Sequence, residues 1–210
     1  AAASSLVAMR QQGIEPRDVS KVFITHLHGD HFGGLPFFLL DAQLVSKRSK
    51  PLTIAGPPGL EGRLMQAMEV LFAGSSKVEP RFDLSIVELR PREPSSIDGV
   101  SVTAFPAAHF SGAPSYSLRV EVEGKVFAYS GDSQWTDTLI EASAGADLFA
   151  CECYVFDEDV PLHNSYARIA ENRPRMTCKR LVLTHMSDDV LCRLAELDIE
   201  TVEDGKVIVL

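Results

Sequence analysis

The 210 residues include 29 acidic and 20 basic side chains, for a formal net charge of −9, and 45% of the chain is hydrophobic. This balance is typical of an ordinary globular protein and excludes a disordered or fibrous chain. No apolar run approaches the roughly 20 residues of a membrane-spanning helix, and the first residues lack a signal-peptide pattern. We therefore expect a cytoplasmic protein with no membrane partner.

The hydrophobic pattern alternates between helical and extended segments along the whole chain, without a linker or a repeat. This pattern predicts one α/β domain over residues 1–210. The glycine in Glu123-Gly124 indicates a hairpin turn between two of the strands. In chain order, we predict helix 6–12, strand 22–25, helix 35–45, strand 52–55, helix 60–72, strands 85–89, 100–105, 116–122 and 126–129, helix 136–144, strand 146–152, helix 165–171, strand 180–184, helix 189–197 and strand 206–210.

The four cysteines do not have the spacing of a zinc ribbon. Cys151 and Cys153 lie two apart in an apolar segment, while Cys178 and Cys192 stand alone. Free cysteine is among the most buried residue types. We therefore predict buried thiols rather than disulfides.

The densest chemical signal is the segment Thr25-His26-Leu27-His28-Gly29-Asp30-His31, directly after a predicted strand. His26 and His28 would point to the same side of an extended segment, so both can bind one metal ion. Asp30 and His31 would follow a turn that Gly29 permits, and could face a second ion. Nitrogen and oxygen donors of this kind suit zinc best, with manganese or iron as alternatives.

Three further polar residues follow predicted strands in the same way. His109 follows the strand that ends at Phe105, Asp132 follows Ser-Gly after another strand, and His185 follows Thr184. Each alone would suit a structural histidine or a turn aspartate. Together with the first cluster, they predict a metal site built at strand ends.

These motifs, in this order over almost the whole chain, resemble the metallo-β-lactamase superfamily of hydrolases. The resemblance implies a four-layer αββα sandwich with a dinuclear metal site. It also implies that a water or hydroxide between the two ions is the nucleophile. By position, His26, His28 and His109 would hold one ion, Asp30, His31 and His185 the other, and Asp132 would bridge them.

Within that superfamily, the sequence most resembles the branch of ribonuclease Z and small phosphodiesterases. Residues 146–154 resemble that branch's strand ending in His-Glu-Ala-Thr, with Cys151 in place of the histidine, and 163–165 resemble its His-Ser-Thr element. The resemblance implies that Glu152 orients His163, which contacts the phosphate and helps to transfer a proton. The implied catalytic residues are Asp30, His163 and Glu152.

Two departures from that branch shape our expectations. Ribonuclease Z enzymes usually carry a basic, glycine-rich arm between the third and fourth metal motifs, but only a short hairpin separates His109 from Asp132. Family members also have strands before the first helix, whereas only 25 residues precede His26. We therefore expect a chain that lacks some N-terminal strands and, because its surface is acidic, one that binds nucleic acid weakly.

The sequence thus predicts a metal-dependent hydrolase with two divalent ions that cleaves a small phosphodiester, with a small molecule as its substrate. A thioester or lactone hydrolase on the same metal site is the alternative, and a non-enzymatic metal-binding module is another. A β-lactam is disfavoured, because the second site of those enzymes typically uses ligands other than Asp30, His31 and His185. A homodimer is one option for the assembly.

Overall fold

A computed structural model describes residues 1–210 as two compact units. Unit 1 contains residues 1–89 and 111–113, and unit 2 contains residues 90–110 and 114–210. The single domain over residues 1–210 stays a prediction. None of the helices is both long and apolar enough to span a membrane.

Unit 1 is built on a small parallel sheet with the strand order β1-β2-β3. The central strand is buried on every residue and is apolar except for Thr53, as parallel strands covered on both faces usually are. Helices connect the strands, as parallel pairing requires. The elements are α1 (Ser5–Gln11), β1 (Lys21–Phe23), α2 (Gly29–Phe32), α3 (Leu35–Leu40), β2 (Leu52–Gly56), α4 (Leu60–Leu71) and β3 (Leu84–Glu88).

The core of unit 1 lies between this sheet and its helices. In α4, the buried residues are Leu60, Leu64 and Met68, which recur every four residues and so line one face of the helix. They pack with Ile24 and Ile54 in one apolar cluster. This packing fixes the end of β1, from which the first histidine cluster continues.

Unit 2 contains a seven-stranded mixed sheet with the order β10-β9-β8-β7-β6-β5-β4. Strands β4 to β7 are antiparallel neighbours, whereas β7, β8, β9 and β10 are parallel. The elements are β4 (Ser95–Ile97), β5 (Val100–Pro106), β6 (Tyr116–Val122), β7 (Lys125–Tyr129), α5 (Thr138–Ser143), β8 (Leu148–Glu152), α6 (Tyr166–Asn172), β9 (Leu181–Thr184), α7 (Asp188–Leu191) and β10 (Glu200–Thr201).

The topology of unit 2 brings the carboxyl ends of four strands to one edge of the sheet. β7, β8 and β9 run in the same direction, and β5 shares it because β5 and β7 both pair antiparallel with β6. The β6–β7 connection is the predicted two-residue hairpin, in which Glu123 and Gly124 both have positive φ. The residues that follow the four strand ends therefore lie close together.

Most predicted elements are confirmed, and the differences concentrate near the C-terminus. The predicted strand 206–210 is wrong, because the tenth strand is Glu200–Thr201, which pairs with β9. Val207 and Val209 are exposed. A short apolar run forms a strand only where a neighbouring strand can take up its backbone hydrogen bonds. The predicted helix 189–197 is a short α7 followed by a 3₁₀ turn, Leu194–Glu196.

All four cysteines are free, as predicted. Cys151 and Cys153 are buried, as predicted, whereas Cys178 is half-buried and Cys192 is exposed. The prediction of burial is wrong for Cys192, which directly follows the short helix α7. Its neighbour Leu191 is exposed as well.

Candidate metal centre

In unit 1, the first histidine cluster continues from the end of β1. His26 is fully buried, and its Nδ1 lies 3.1 Å from the hydroxyl of Thr25. The ring centroids of His26 and His28 are 5.1 Å apart, and those of His26 and His31 are 4.0 Å apart. The three imidazoles therefore lie close together within unit 1.

The second half of this cluster is a single helical turn. His28 is extended and stands just before α2, so Asp30 and His31 lie in the first turn of that helix. His31 Nε2 is 3.2 Å from a carboxylate oxygen of Asp30. Gly29 is not among the residues with positive φ, and a Cβ there would contact nothing within 4 Å. The expectation that this turn depends on the freedom of Gly29 is wrong, because an ordinary helical start provides it.

In unit 2, Asp132 occupies the centre of the second cluster. Its carboxylate is 2% exposed, and one oxygen lies 3.7 Å from His185 Nε2 and 4.0 Å from both His109 Nε2 and His163 Nδ1. Asp132, Glu152, His163 and His185 each offer a ligand atom within 4.8 Å of the others. The strand ends thus bring together five side chains from distant parts of the sequence.

Glu152 is fully buried at the end of β8 and is held on both carboxylate oxygens. The backbone N–H of Ser133 donates a hydrogen bond to one oxygen, and His163 Nδ1 lies 3.0 Å from the other. This hydrogen bond raises the pKa of His163 above its ordinary value, against the opposing effect of partial burial, and the charges of Glu152 and Asp132 act in the same direction. His163 is thereby oriented through Nδ1, which leaves Nε2 for other contacts.

A backbone carbonyl fixes the orientation of His109. Its Nδ1 lies 2.8 Å from the carbonyl oxygen of Leu162. A carbonyl only accepts hydrogen bonds, so Nδ1 is the N–H donor, and Nε2 is the ring nitrogen that can bind a metal ion. Neutral imidazole is the form in which histidine binds a metal ion.

Two residues beside these side chains have unusual backbone conformations. Leu162 has φ 70° and His185 has φ 55°, both in the left-handed region that residues other than glycine rarely adopt. Such conformations persist only where the surrounding structure enforces them, and they concentrate at functional sites. Here they place the Leu162 carbonyl against His109 and turn His185 toward Asp132.

The sequence analysis missed Tyr154, whose ring stacks on His163. Their centroids are 4.6 Å apart, with an angle of 30° between the planes, and the ring of His185 lies 5.8 Å from each. A signal for it existed, because Tyr154 lies two residues after Glu152 at the end of the same apolar strand. Cys151, which replaces the histidine of the resembled motif, is buried, and its sulfur accepts a hydrogen bond from the side-chain amide of Asn164.

The donors in both units fit divalent metal ions. Unit 1 offers three imidazoles and a carboxylate, and unit 2 offers His109, His163, His185 and two carboxylates. Imidazole nitrogen and carboxylate oxygen are ligands of zinc and of other first-row metals. The tautomer that Leu162 imposes on His109 is the one that a metal ligand requires.

Comparison with known proteins establishes the family. Residues 3–186 match the family model described as β-lactamase superfamily domain. The chain belongs to this superfamily. Among solved structures, human tRNase Z, short form, has a TM-score of 0.77 and 26% identity, and covers 99% of this chain and 85% of its own. The predicted metallo-β-lactamase fold is therefore confirmed.

Other relatives of this superfamily cover similar parts of the chain. The ribonuclease Z of Agathobacter rectalis is 27% identical over 237 residues, which span 88% of this chain and 76% of the relative. A diphosphatase from the PhnP family has a TM-score of 0.70 at 16% identity, and covers 98% of this chain and 76% of its own. The chain is a metal-dependent hydrolase of the phosphodiesterase type, as the sequence predicted.

The expectation of a small-molecule substrate and weak nucleic-acid binding is wrong. It is overturned by the relatives named ribonuclease Z and tRNase Z, which match most of this chain. That expectation was based on the net charge and on the short hairpin between His109 and Asp132. The net charge of the whole chain does not show where basic side chains are concentrated. Five of the 20 lysines and arginines lie within residues 168–180, in α6 and the segment that follows it.

Proposed function

We propose that this protein is a zinc-dependent phosphodiesterase with two metal ions, and that it cleaves RNA of the tRNA-precursor class. The observation that carries the proposal is the Glu152–His163 pair beside Asp132, in a chain of this superfamily. Such a pair supplies a proton donor next to a metal-binding carboxylate. The substrate class follows the relatives named ribonuclease Z and tRNase Z.

The proposed ligands are those that the motif order implied. Their nitrogen and oxygen donors favour zinc. Bound ions would lower the pKa of a coordinated water and neutralise charge that develops on the phosphate. One ion would be held by His26, His28 and His109, the other by Asp30, His31 and His185, with Asp132 shared by both.

His163 is the proposed general acid. Its Nδ1–H is held by Glu152, so Nε2 can carry a second proton toward the substrate. When water adds to phosphorus, the P–O bond to the leaving group breaks, and the proton on Nε2 passes to the leaving oxygen. The hydrogen bond to Glu152 raises the pKa of His163, which favours the protonated form that a general acid needs. Tyr154 supports this role, because its stacked ring limits rotation of the imidazole.

The basic segment of unit 2 supports an RNA substrate. Arg173 and Lys179 are exposed by half or more, and each forms an ion pair with a nearby carboxylate. Exposed ion pairs contribute little to stability, so these two cations can exchange a carboxylate for a phosphate at small cost. Phosphate contacts of this kind account for most of the affinity of proteins for nucleic acids.

The test is cleavage of a precursor tRNA with a 3′ extension by protein loaded with zinc. We expect cleavage near the 3′ end of the mature tRNA, loss of activity after chelation, and recovery when zinc is restored. Metal analysis of the loaded protein should give close to two ions per chain. Bis-p-nitrophenyl phosphate, an acyl thioester and a lactone serve as comparison substrates.

The outcomes separate the classes of enzyme. Cleavage of the thioester or lactone without cleavage of either phosphodiester would assign the alternative activity. Cleavage of the small diester but not of the precursor tRNA would retain the phosphodiesterase and reject the RNA substrate. A folded protein that binds only trace metal after reconstitution would contradict the metal-dependent mechanism.

A further inference from the structure

Unit 2 contains a cavity of about 440 Å³ that opens beside His163. One wall follows Asp132 along the chain and includes Gln134 and Trp135. The other wall consists of His163 and the segment after it, including Asn164 and α6. The volume lies in the range of small-molecule binding pockets. A substrate whose leaving oxygen reaches His163 would therefore extend into this cavity.

The charged side chains of the cavity do not favour a phosphate group. The lining contains three carboxylates and two guanidiniums. Arg168 pairs with Asp159 and Glu171 at 3.2–3.3 Å, and Arg175 pairs with Asp137 at 2.8 Å. With both cations paired and one carboxylate in excess, a polyanion gains little by entering. These paired guanidiniums and carboxylates place hydrogen-bond donors and acceptors side by side in the cavity.

A cavity lining that offers both hydrogen-bond donors and acceptors suits a nucleobase. Arginine donates to the ring nitrogens and carbonyl oxygens of bases, while aspartate and glutamate accept from their amino groups. Trp135 adds a flat, half-buried aromatic ring to the lining, and stacking on such a ring is the common mode of binding unpaired bases. Asn164, which is 1% exposed, adds a buried amide.

We propose that this cavity binds the base of the nucleotide on the leaving-group side of the scissile phosphodiester. The inference rests on the proposed function, because His163 marks the leaving-group side only if it protonates the leaving oxygen. The base stacks on Trp135, while Arg168 and its carboxylate partners form hydrogen bonds with the base edge. The cavity then selects an unpaired base next to the cleaved bond.

The chain offers a direct probe, because Trp135 is its single tryptophan. Zinc-loaded protein is titrated with AMP, and its tryptophan fluorescence is recorded. We expect saturable quenching by AMP and none by ribose 5-phosphate, which has the same phosphate but no base. In competition, ribose 5-phosphate should bind about 5- to 150-fold more weakly than AMP, the range that one stacked base contributes.

Two matched arginine variants locate the binding. Arg168→Ala removes a guanidinium from the cavity and should weaken AMP binding about tenfold, the usual effect of losing a charge-assisted hydrogen bond. Arg90→Ala removes an exposed, ion-paired guanidinium outside the cavity and should leave the affinity unchanged. Equal weakening in both variants would contradict a local contact, as would equal affinity for AMP and ribose 5-phosphate. Absence of quenching by AMP would also overturn the proposal.

The fluorescence titration tests the cavity, and the hydrolysis assay tests the proposed function, so either result can be negative without the other. If base-dependent quenching occurs but neither phosphodiester is cleaved, the proposed function is wrong and the base-binding cavity stands. If RNA is cleaved, an oligonucleotide with an abasic residue on the leaving-group side should lose about 5- to 150-fold in kcat/KM. An unchanged kcat/KM for that oligonucleotide would reject the cavity and leave the proposed function intact.

Discussion

The two units build their clusters of metal-binding side chains in opposite ways. In unit 1, three imidazoles and a carboxylate come from the six residues 26–31, and a strand end with one helical turn is enough to group them. In unit 2, the side chains come from positions 109, 132, 152, 163 and 185, and the direction of four strands groups them. A local cluster depends on a few backbone dihedrals, whereas a dispersed one depends on the whole sheet.

The largest expected effect concerns Asp132, the proposed shared ligand. Asp132→Ala should lower the occupancy of both ions, whereas His28→Ala should lower only one. Turnover of Asp132→Ala should fall by on the order of 10³-fold or more, since metal-based charge stabilisation contributes several kcal/mol. Metal analysis and kcat provide the measurements, with Asp204→Ala, in an exposed turn, as the control. Full metal occupancy and unchanged turnover in Asp132→Ala would show that Asp132 is only a turn residue.

His163 tests whether unit 2 supplies a proton donor as well as metal ligands. His163→Ala should leave metal content intact and reduce turnover by roughly 10²- to 10⁴-fold, the scale of general acid catalysis. The reduction should be smaller for a diester with p-nitrophenolate as its leaving group, which needs little protonation. Equal losses for good and poor leaving groups would indicate phosphate binding, and loss of an ion would make His163 a ligand.

Glu152 tests how far a buried neighbour controls that proton. The hydrogen bond from His163 raises the imidazole pKa, so the active protonated form persists to higher pH, and kcat should fall as pH rises through the raised value. Glu152→Gln removes the charge, so this alkaline limb should move down toward about 6.5, the ordinary value for histidine. The change also weakens the hydrogen bond that orients His163, so activity at neutral pH should fall by about 10- to 100-fold in all.

The readout is the pH dependence of kcat for a diester with a poor leaving group. Glu158→Gln, which changes an exposed carboxylate, serves as the control and should leave the limb in place. An alkaline limb at the same pH in Glu152→Gln and in the unmodified protein would show that Glu152 does not set the pKa of His163.

The last prediction does not touch turnover and uses the cysteines to measure how tightly the interior of unit 2 is packed. Burial raises the pKa of Cys153 to about 12 and that of Cys151 well above its ordinary value, so both remain protonated at neutral pH. A thiol reagent should label exposed Cys192 at least on the order of 10³-fold faster than these two. Cys192→Ser should remove the fast phase. Fast labelling of Cys151 in native protein would reveal local opening beside Glu152.

The contrast between a local cluster in unit 1 and a dispersed cluster in unit 2 explains which site residues could be predicted from the sequence. Residues 26–31 could be recognised directly, because their grouping needs no tertiary structure. His109, Asp132 and His185 could be predicted only from the rule that strand ends share an edge and from the family resemblance. Tyr154 and Trp135 were not predicted as site residues, because stacking and cavity walls depend on side-chain packing that no local pattern encodes. The proposed set of seven ligands stays a prediction.

Errors in the predicted elements have a related cause. Residues 206–210 contain a run of four apolar residues, three of them β-branched, yet the sheet takes Glu200–Thr201 as its last strand. The short strand Ser95–Ile97 was not predicted, because three residues carry too little periodicity to be distinguished from a loop. In both cases, the available neighbour in the sheet decided the outcome, and the sequence of one segment does not contain that information.

The Leu162–His163 peptide has a mechanical consequence. Its carbonyl accepts a hydrogen bond from His109, and the next side chain is the imidazole held by Glu152. One rigid peptide plane thus joins two histidines that lie 54 positions apart along the chain. A rotation of this plane would reorient both imidazoles at once. The stiffness of the loop that contains it therefore limits how far the orientation of either imidazole can vary.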